Sequence, residues 1–146
     1  GGVGRLGTEE ALFNHIFCLR SWAQLRATFE AYTRNTERDI GDDIEKEFSG
    51  DIRMGLTTIV KVARDKDGYF AERLREALHS GRTDDNTLIR IVVSRSEIDL
   101  ARIQTTFHRL YGKHLWKEVE YGCSSGDYRR LLLMILGGSG TGTGDN

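Results

Sequence analysis

The stretch VGRLGTEE, residues 3–10, crowds glycines and an arginine ahead of Thr8, Glu9 and Glu10, which open a helix-like segment. Glycine adopts backbone angles that other residues avoid, so such a turn can leave carbonyl oxygens uncovered and pointing outward. Oxygens of that kind take a hydrogen-bond donor or a hard cation such as calcium, which gathers about six to eight oxygens and often a bidentate carboxylate. Glu47 offers a carboxylate at the end of a short helical segment, beside the next turn, Ser49-Gly50. In a compact bundle whose loops share one end, backbone oxygens of Gly2, Arg5 and Gly7 could meet Glu47 around one calcium. The same residues also read as an ordinary capped loop and a solvated surface glutamate.

Other chemistry is weaker. Cys123 and Arg129 have the cysteine-x5-arginine spacing of a phosphatase phosphate loop. That chemistry needs a low-pKa thiolate at a helix start and a preceding strand. The matching segment elsewhere in the chain, EFSGDIR, carries no thiol, so the segment reads as a structural turn and the chain is not expected to be an enzyme. His15, His79, His108 and His114 show no paired metal spacing with Cys18 or Cys123. The GSGTGTG near the C-terminus lacks the strand and helix that flank a phosphate-cradling loop.

The elements that must position Glu47 come in two copies. Shifting the sequence by 75 places sets Thr8-Glu9-Glu10 on Thr83-Asp84-Asp85, Ile16 on Ile91, Leu25 on Leu100, Tyr32 on Phe107, Ile40 on Leu115 and Ile44 on Val119. After one inserted residue, Ser49-Gly50-Asp51 falls on Ser125-Gly126-Asp127. The first module reads as five helices. Thr8 caps one carrying Leu12, Ile16 and Leu19, and Leu25, Phe29 and Tyr32 mark the next. Ile40, Ile44 and Phe48 mark a third, weakened by Gly41; Ile52, Leu56, Ile59 and Val60 a fourth; Phe70, Leu74 and Leu78 a fifth. The second module repeats four of these and ends near Leu136. The division is 1–79, 80–138 and a disordered glycine-rich tail, 139–146, with no apolar residue.

Composition agrees with an all-α chain: proline is absent from the 146 residues. With 21 basic and 22 acidic residues, no bulk field argues for nucleic acid. Two cysteines suggest a reducing compartment, and the longest apolar run, residues 131–136, is too short to span a bilayer.

On these residues the sequence resembles the annexins, whose repeat has five helices, a G-x-G-T loop and an acid some 39 positions after the threonine. Thr8 and Glu47 fit that spacing; LIRIVVSRSEIDLARI and SGDYRRLLLMILGG look like the start and end of an annexin's last repeat. The first module resembles a third repeat and the second a fourth. The resemblance implies an all-α fold of two annexin-like repeats in a right-handed helical superhelix. It also implies calcium-dependent binding to anionic phospholipid membranes, mainly through the first repeat. Gly2, Arg5, Gly7 and Glu47 would form the main calcium site, and Thr8 with Glu10 a minor one. Leu6 would touch the headgroup–acyl boundary and Arg5 lipid phosphate. The protein would be cytoplasmic, and peripheral to membranes when calcium rises.

The second module departs from the family pattern. Arg82 stands where a glycine precedes the threonine, and the acidic position falls on Gly122 or Cys123. Its main loop is therefore expected to be silent or weak, with Thr83 and Asp85 left as a weak minor site. That damage keeps a second reading open, a helical-repeat scaffold with degenerate calcium sites. Since an annexin core has four repeats, two should leave apolar surface exposed. The expected partner is the missing N-terminal half or a second copy, and the start at Gly1 points to a fragment.

Overall fold

A computed structural model describes residues 21–123 and 126–137. Its elements are α1 (Trp22–Thr36), α2 (Ile40–Glu47), α3 (Gly50–Arg64), α4 (Lys66–His79), α5 (Asp85–Arg95), α6 (Leu100–Tyr111), α7 (Leu115–Gly122) and α8 (Asp127–Ile135). No strand occurs among the described residues. The 75-residue shift carries α2 onto α7 end for end, and the C-terminal residues of α1 and α6 also coincide.

The chain divides into two compact units, which part between Lys66 and Asp67. In the first, Leu25 and Phe29 of α1, Ile44 of α2, and Leu56, Val60 and Ala63 of α3 form the core, with Ile40, Phe48 and Ile59 packed against it. Those positions recur at helical spacing, which is why α1–α3 bury one face each. In the second, Ala71, Leu74 and Leu78 of α4 join Leu88, Ile91, Ile103, Phe107, Leu115, Val119, Leu132 and Leu136. The fifth helix of the sequence repeat thus packs into the core of the module that follows it. The apolar run at 131–136 is an amphipathic helix: Leu132 and Leu136 are buried while Leu131 and Met134 face outward.

Short α2 is held by its cap. Asp39 accepts from the backbone N–H groups of Gly41 (2.8 Å) and Asp42 (3.3 Å), and its carboxylate also takes Arg64 at 2.7 Å. A Cβ at Gly41 would lie 2.8 Å from the capping oxygen of Asp39, so the glycine admits the cap. Trp22 opens α1 and is largely exposed; Trp116, the second residue of α7, packs against the core of its unit.

Candidate functional site

Of the expected main site, Gly2, Arg5, Gly7 and the membrane-contact residue Leu6 lie outside the described residues, as do Thr8 and Glu10 of the minor site. Glu47 is described. It is the last residue of α2, is exposed, and precedes Phe48, whose N–H closes the helix on the Ile44 carbonyl. The chain then turns through Ser49 and Gly50, the latter at φ +62°, a backbone conformation suited to glycine. Tyr32, whose hydroxyl donates to Asp43 of α2, has its pKa raised first by that bond and then by burial, with the charge of Glu47 adding a smaller push.

The second module describes both halves of the same arrangement. Its loop leaves α4 at His79 and turns at Gly81, with φ +88°. It enters α5 through Asp84, whose side chain accepts from the Thr87 N–H at 3.1 Å. Within this loop the Thr83 hydroxyl donates to the backbone carbonyl of Gly122 at 2.7 Å, across 39 positions. Gly122 ends α7 as Glu47 ends α2. A Cβ at Gly122 would stand 3.9 Å from the Thr83 hydroxyl and 3.2 Å from the Leu78 side chain, aimed into the loop.

Donor chemistry separates the two modules. Glu47 brings the hard, potentially bidentate carboxylate that calcium favours. Gly122 brings only a carbonyl, already engaged by Thr83, and exposed Arg82 adds a cation to the same loop. At the minor position Asp85 accepts from the Tyr128 hydroxyl at 2.8 Å, so one of its oxygens is occupied. Among the described residues no three His, Cys, Asp or Glu side chains converge as a metal cluster, so calcium there would need backbone oxygens.

Cys123 is buried, and burial pushes its thiol upward, away from the thiolate a phosphatase loop requires. Arg129 is turned to the Glu120 carbonyl at 3.4 Å. No described helix is long and apolar enough to cross a membrane.

The residue pattern left two tertiary contacts unseen. His79 Nε2 lies 2.9 Å from Glu118 Oε2, one turn of α7 before Gly122, so the second loop is tied to α7 at both ends. Asp99, fully buried, takes Arg95 through two bonds of 2.8 and 2.7 Å. Arg95 and Asp99 lie at ordinary helical spacing while His79 and Glu118 are far apart in sequence, and nothing in the residue types of either pair marks the contact.

The family model described as Annexin matches residues 1–59 and 69–135. Human annexin A7 is 52% identical over 136 residues, 93% of this chain and 28% of that protein. Among solved structures, annexin III aligns with a TM-score of 0.81 at 45% identity, over 89% of this chain and 40% of that one. The calcium-bound structure of annexin (Sm)1 aligns with a TM-score of 0.78 at 35% identity, over 89% of this chain and 37% of that one. The chain thus spans well under half the length of these relatives.

Proposed function

The chain belongs to the annexin family, and from that premise we propose that it binds anionic phospholipid surfaces in a calcium-dependent way, chiefly through its first module. The observation that carries this reading is the Thr83–Gly122 hydrogen bond. Thr8 and Glu47 have the same separation in the other copy, and repeat symmetry supports the same pairing there. Calcium, when bound, bridges protein oxygens and lipid phosphate. Gly2, Arg5 and Gly7 supply backbone oxygens, Glu47 the carboxylate, and Thr8 with Glu10 a weaker second position. Leu6 enters the headgroup–acyl boundary and Arg5 pairs with phosphate. Because the ion joins both partners, membrane raises calcium affinity by the factor that calcium raises membrane affinity. Thr83 and Asp85 contribute a weak position at most. The protein is accordingly cytoplasmic and becomes peripheral to membranes when calcium rises.

Arg82 and Gly122 favour the scaffold reading for the second module alone. Co-sedimentation with phosphatidylserine vesicles, in calcium and in chelator, tests the proposal with wild type and Glu47→Gln. Wild type should pellet only with calcium, and the variant should need at least about tenfold more of the ion, having lost a charged bidentate ligand. Equal pelleting of the two proteins sinks the assignment of Glu47, and no pelleting of either sinks the function.

A further inference from the structure

A cavity of about 230 Å³ in the second unit is lined by Arg75, His79, Phe107, Tyr111, Lys113 and Glu118. The Glu118 side chain is 14% exposed; Oε2 meets His79 Nε2 at 2.9 Å and Oε1 lies 3.9 Å from Lys113 Nζ. Arg75 rests over the Tyr111 ring, 4.3 Å from its centroid, which holds the guanidinium at the cavity. Three basic side chains thus surround one carboxylate. Arg75 and Lys113 outweigh Glu118 by one charge, and a protonated His79 widens the excess to two.

The repeat shows why the cavity is basic. The 75-residue shift sets Lys113 on Arg38, Glu118 on Asp43 and Phe107 on Tyr32. In the first module the Tyr32 hydroxyl donates to Asp43 at 2.5 Å, and Arg38 pairs with the other oxygen. Phe107 has no hydroxyl to give, so Glu118 takes His79 of α4 in its stead and keeps Lys113 where Asp43 has Arg38.

We propose that this cavity binds a tetrahedral oxyanion, a phosphate or sulfate group, without calcium. A guanidinium and an imidazolium from α4, one turn apart, and an ammonium from the α6–α7 corner donate charge-assisted hydrogen bonds to such a group, while Glu118 opposes it. The charged and titratable groups facing His79 are Glu118, Lys113, Arg75 and Tyr111. A proton gained by His79 therefore enters a site with one opposing carboxylate and strengthens anion binding. Glu47 and the opening loop take no part, so the inference stands apart from the calcium reading.

Sulfate, whose charge is constant near neutrality, is the probe. The whole chain is titrated with it in chelator and followed by amide NMR shifts. Saturable shifts are expected at residues 75–79 and 111–118, with binding about fivefold tighter at about pH 6 than at about pH 8, the range in which histidines change charge. Arg75→Ala should abolish binding, and because Arg75 is exposed the core is left intact. His79→Gln should remove the pH dependence. Glu118→Gln should tighten binding about fivefold, since a repelling unit charge is gone. A structural ion pair alone predicts no such gain. Absence of saturable shifts, or a Glu118→Gln variant that binds sulfate no better, overturns the proposal. Phosphatidic acid vesicles in chelator distinguish the sources. Pelleting that depends on Arg75 means that the cavity also takes the group on a lipid, whereas sulfate binding without pelleting means a free anion. Pelleting indifferent to Arg75→Ala, with no sulfate shifts, also overturns it.

Discussion

Helices α2 and α7 are two castings of one part. Each has eight residues, each buries a β-branched residue at its fifth position (Ile44 and Val119), and each closes with a backbone N–H from the next residue to that residue's carbonyl. They differ at the last position, Glu47 against Gly122. A carboxylate there faces the negative end of the helix dipole and costs a few tenths of a kcal/mol or more. Because α7 makes the same closure with glycine, the fold does not require the acid. Glu47 is thus a residue whose type packing does not explain, which leaves it free for the calcium role proposed above. The duplicated scaffold acts as an internal control for the chemistry mounted on it.

The starts of α1 and α6 make a second pair of equivalents, and here the difference concerns stability. Ser21 caps α1 and Gln24 reaches back to the Ser21 N–H at 2.9 Å, a reciprocal capping box. Asp99 occupies the place of Gln24 but turns to Arg95, makes no side-chain cap bond, and α6 begins only at Leu100. Arg95→Ala would remove both close bonds to a carboxylate whose side chain has no exposure, leaving Arg102 at 3.9 Å, and should lower unfolding free energy by up to about 3–5 kcal/mol. Gln24→Ala, at the exposed equivalent of Asp99, should cost no more than about 1 kcal/mol. Urea denaturation measures both, and near-equal losses would mean that the Asp99 pair carries no more than a surface cap. Arg95→Met combined with Asp99→Leu should recover much of the loss, because no charge is then left buried.

The calcium comparison can be broken by converting the second module. Arg82→Gly with Gly122→Glu removes the cation from the loop and returns an acid beside Thr83. The new Cβ needs only a slight shift of the Leu78 methyl, 3.2 Å away. In a Glu47→Gln background this double change should lower the calcium needed for half-maximal pelleting by about tenfold. No gain would show that a carboxylate and a freed loop do not suffice for this site.

Much of the fold was legible because a duplicated sequence exposes its own core. Leu25 and Leu100, Ile44 and Val119, and Leu56 and Leu132 share registers and are all buried. The family resemblance implied a fixed separation between the loop threonine and the end of the short helix, and in the second copy Thr83 bonds Gly122 at that separation. What stayed hidden depends on approach in three dimensions. Gly41 reads as a weak point in α2, yet its missing side chain leaves room for the Asp39 cap. Arg95–Asp99 has the spacing of an ordinary surface pair, and only packing makes it buried. His79 and Glu118 are far apart in sequence, so nothing in either residue type announces their contact.

The smallest effect is expected where Tyr32 and Phe107 occupy the same place. Tyr32→Phe gives the first module the second module's residue, and it removes the largest cause of the low Asp43 pKa, the Tyr32 hydrogen bond, while Arg38 remains. A carboxylate held below its unfolded value, about 3.9, adds stability above that pH and loses it as pH falls through the folded value. With the hydroxyl gone, the folded value of Asp43 rises toward the ordinary one, so the contribution shrinks and vanishes at a higher pH. The Tyr32 phenol, ordinarily protonated far above the acid range and raised further by its bond to Asp43 and by burial, donates throughout the acid limb, so the wild-type bond is available to be lost. Acid unfolding followed by helical circular dichroism should therefore move to higher pH in Tyr32→Phe, with little change near neutrality. Asp43→Asn should make the added Tyr32→Phe substitution silent in the acid limb. An acid midpoint that does not move would assign the low Asp43 value to Arg38 alone, and the tyrosine–phenylalanine difference between the modules would then bear only on the cavity beside Glu118.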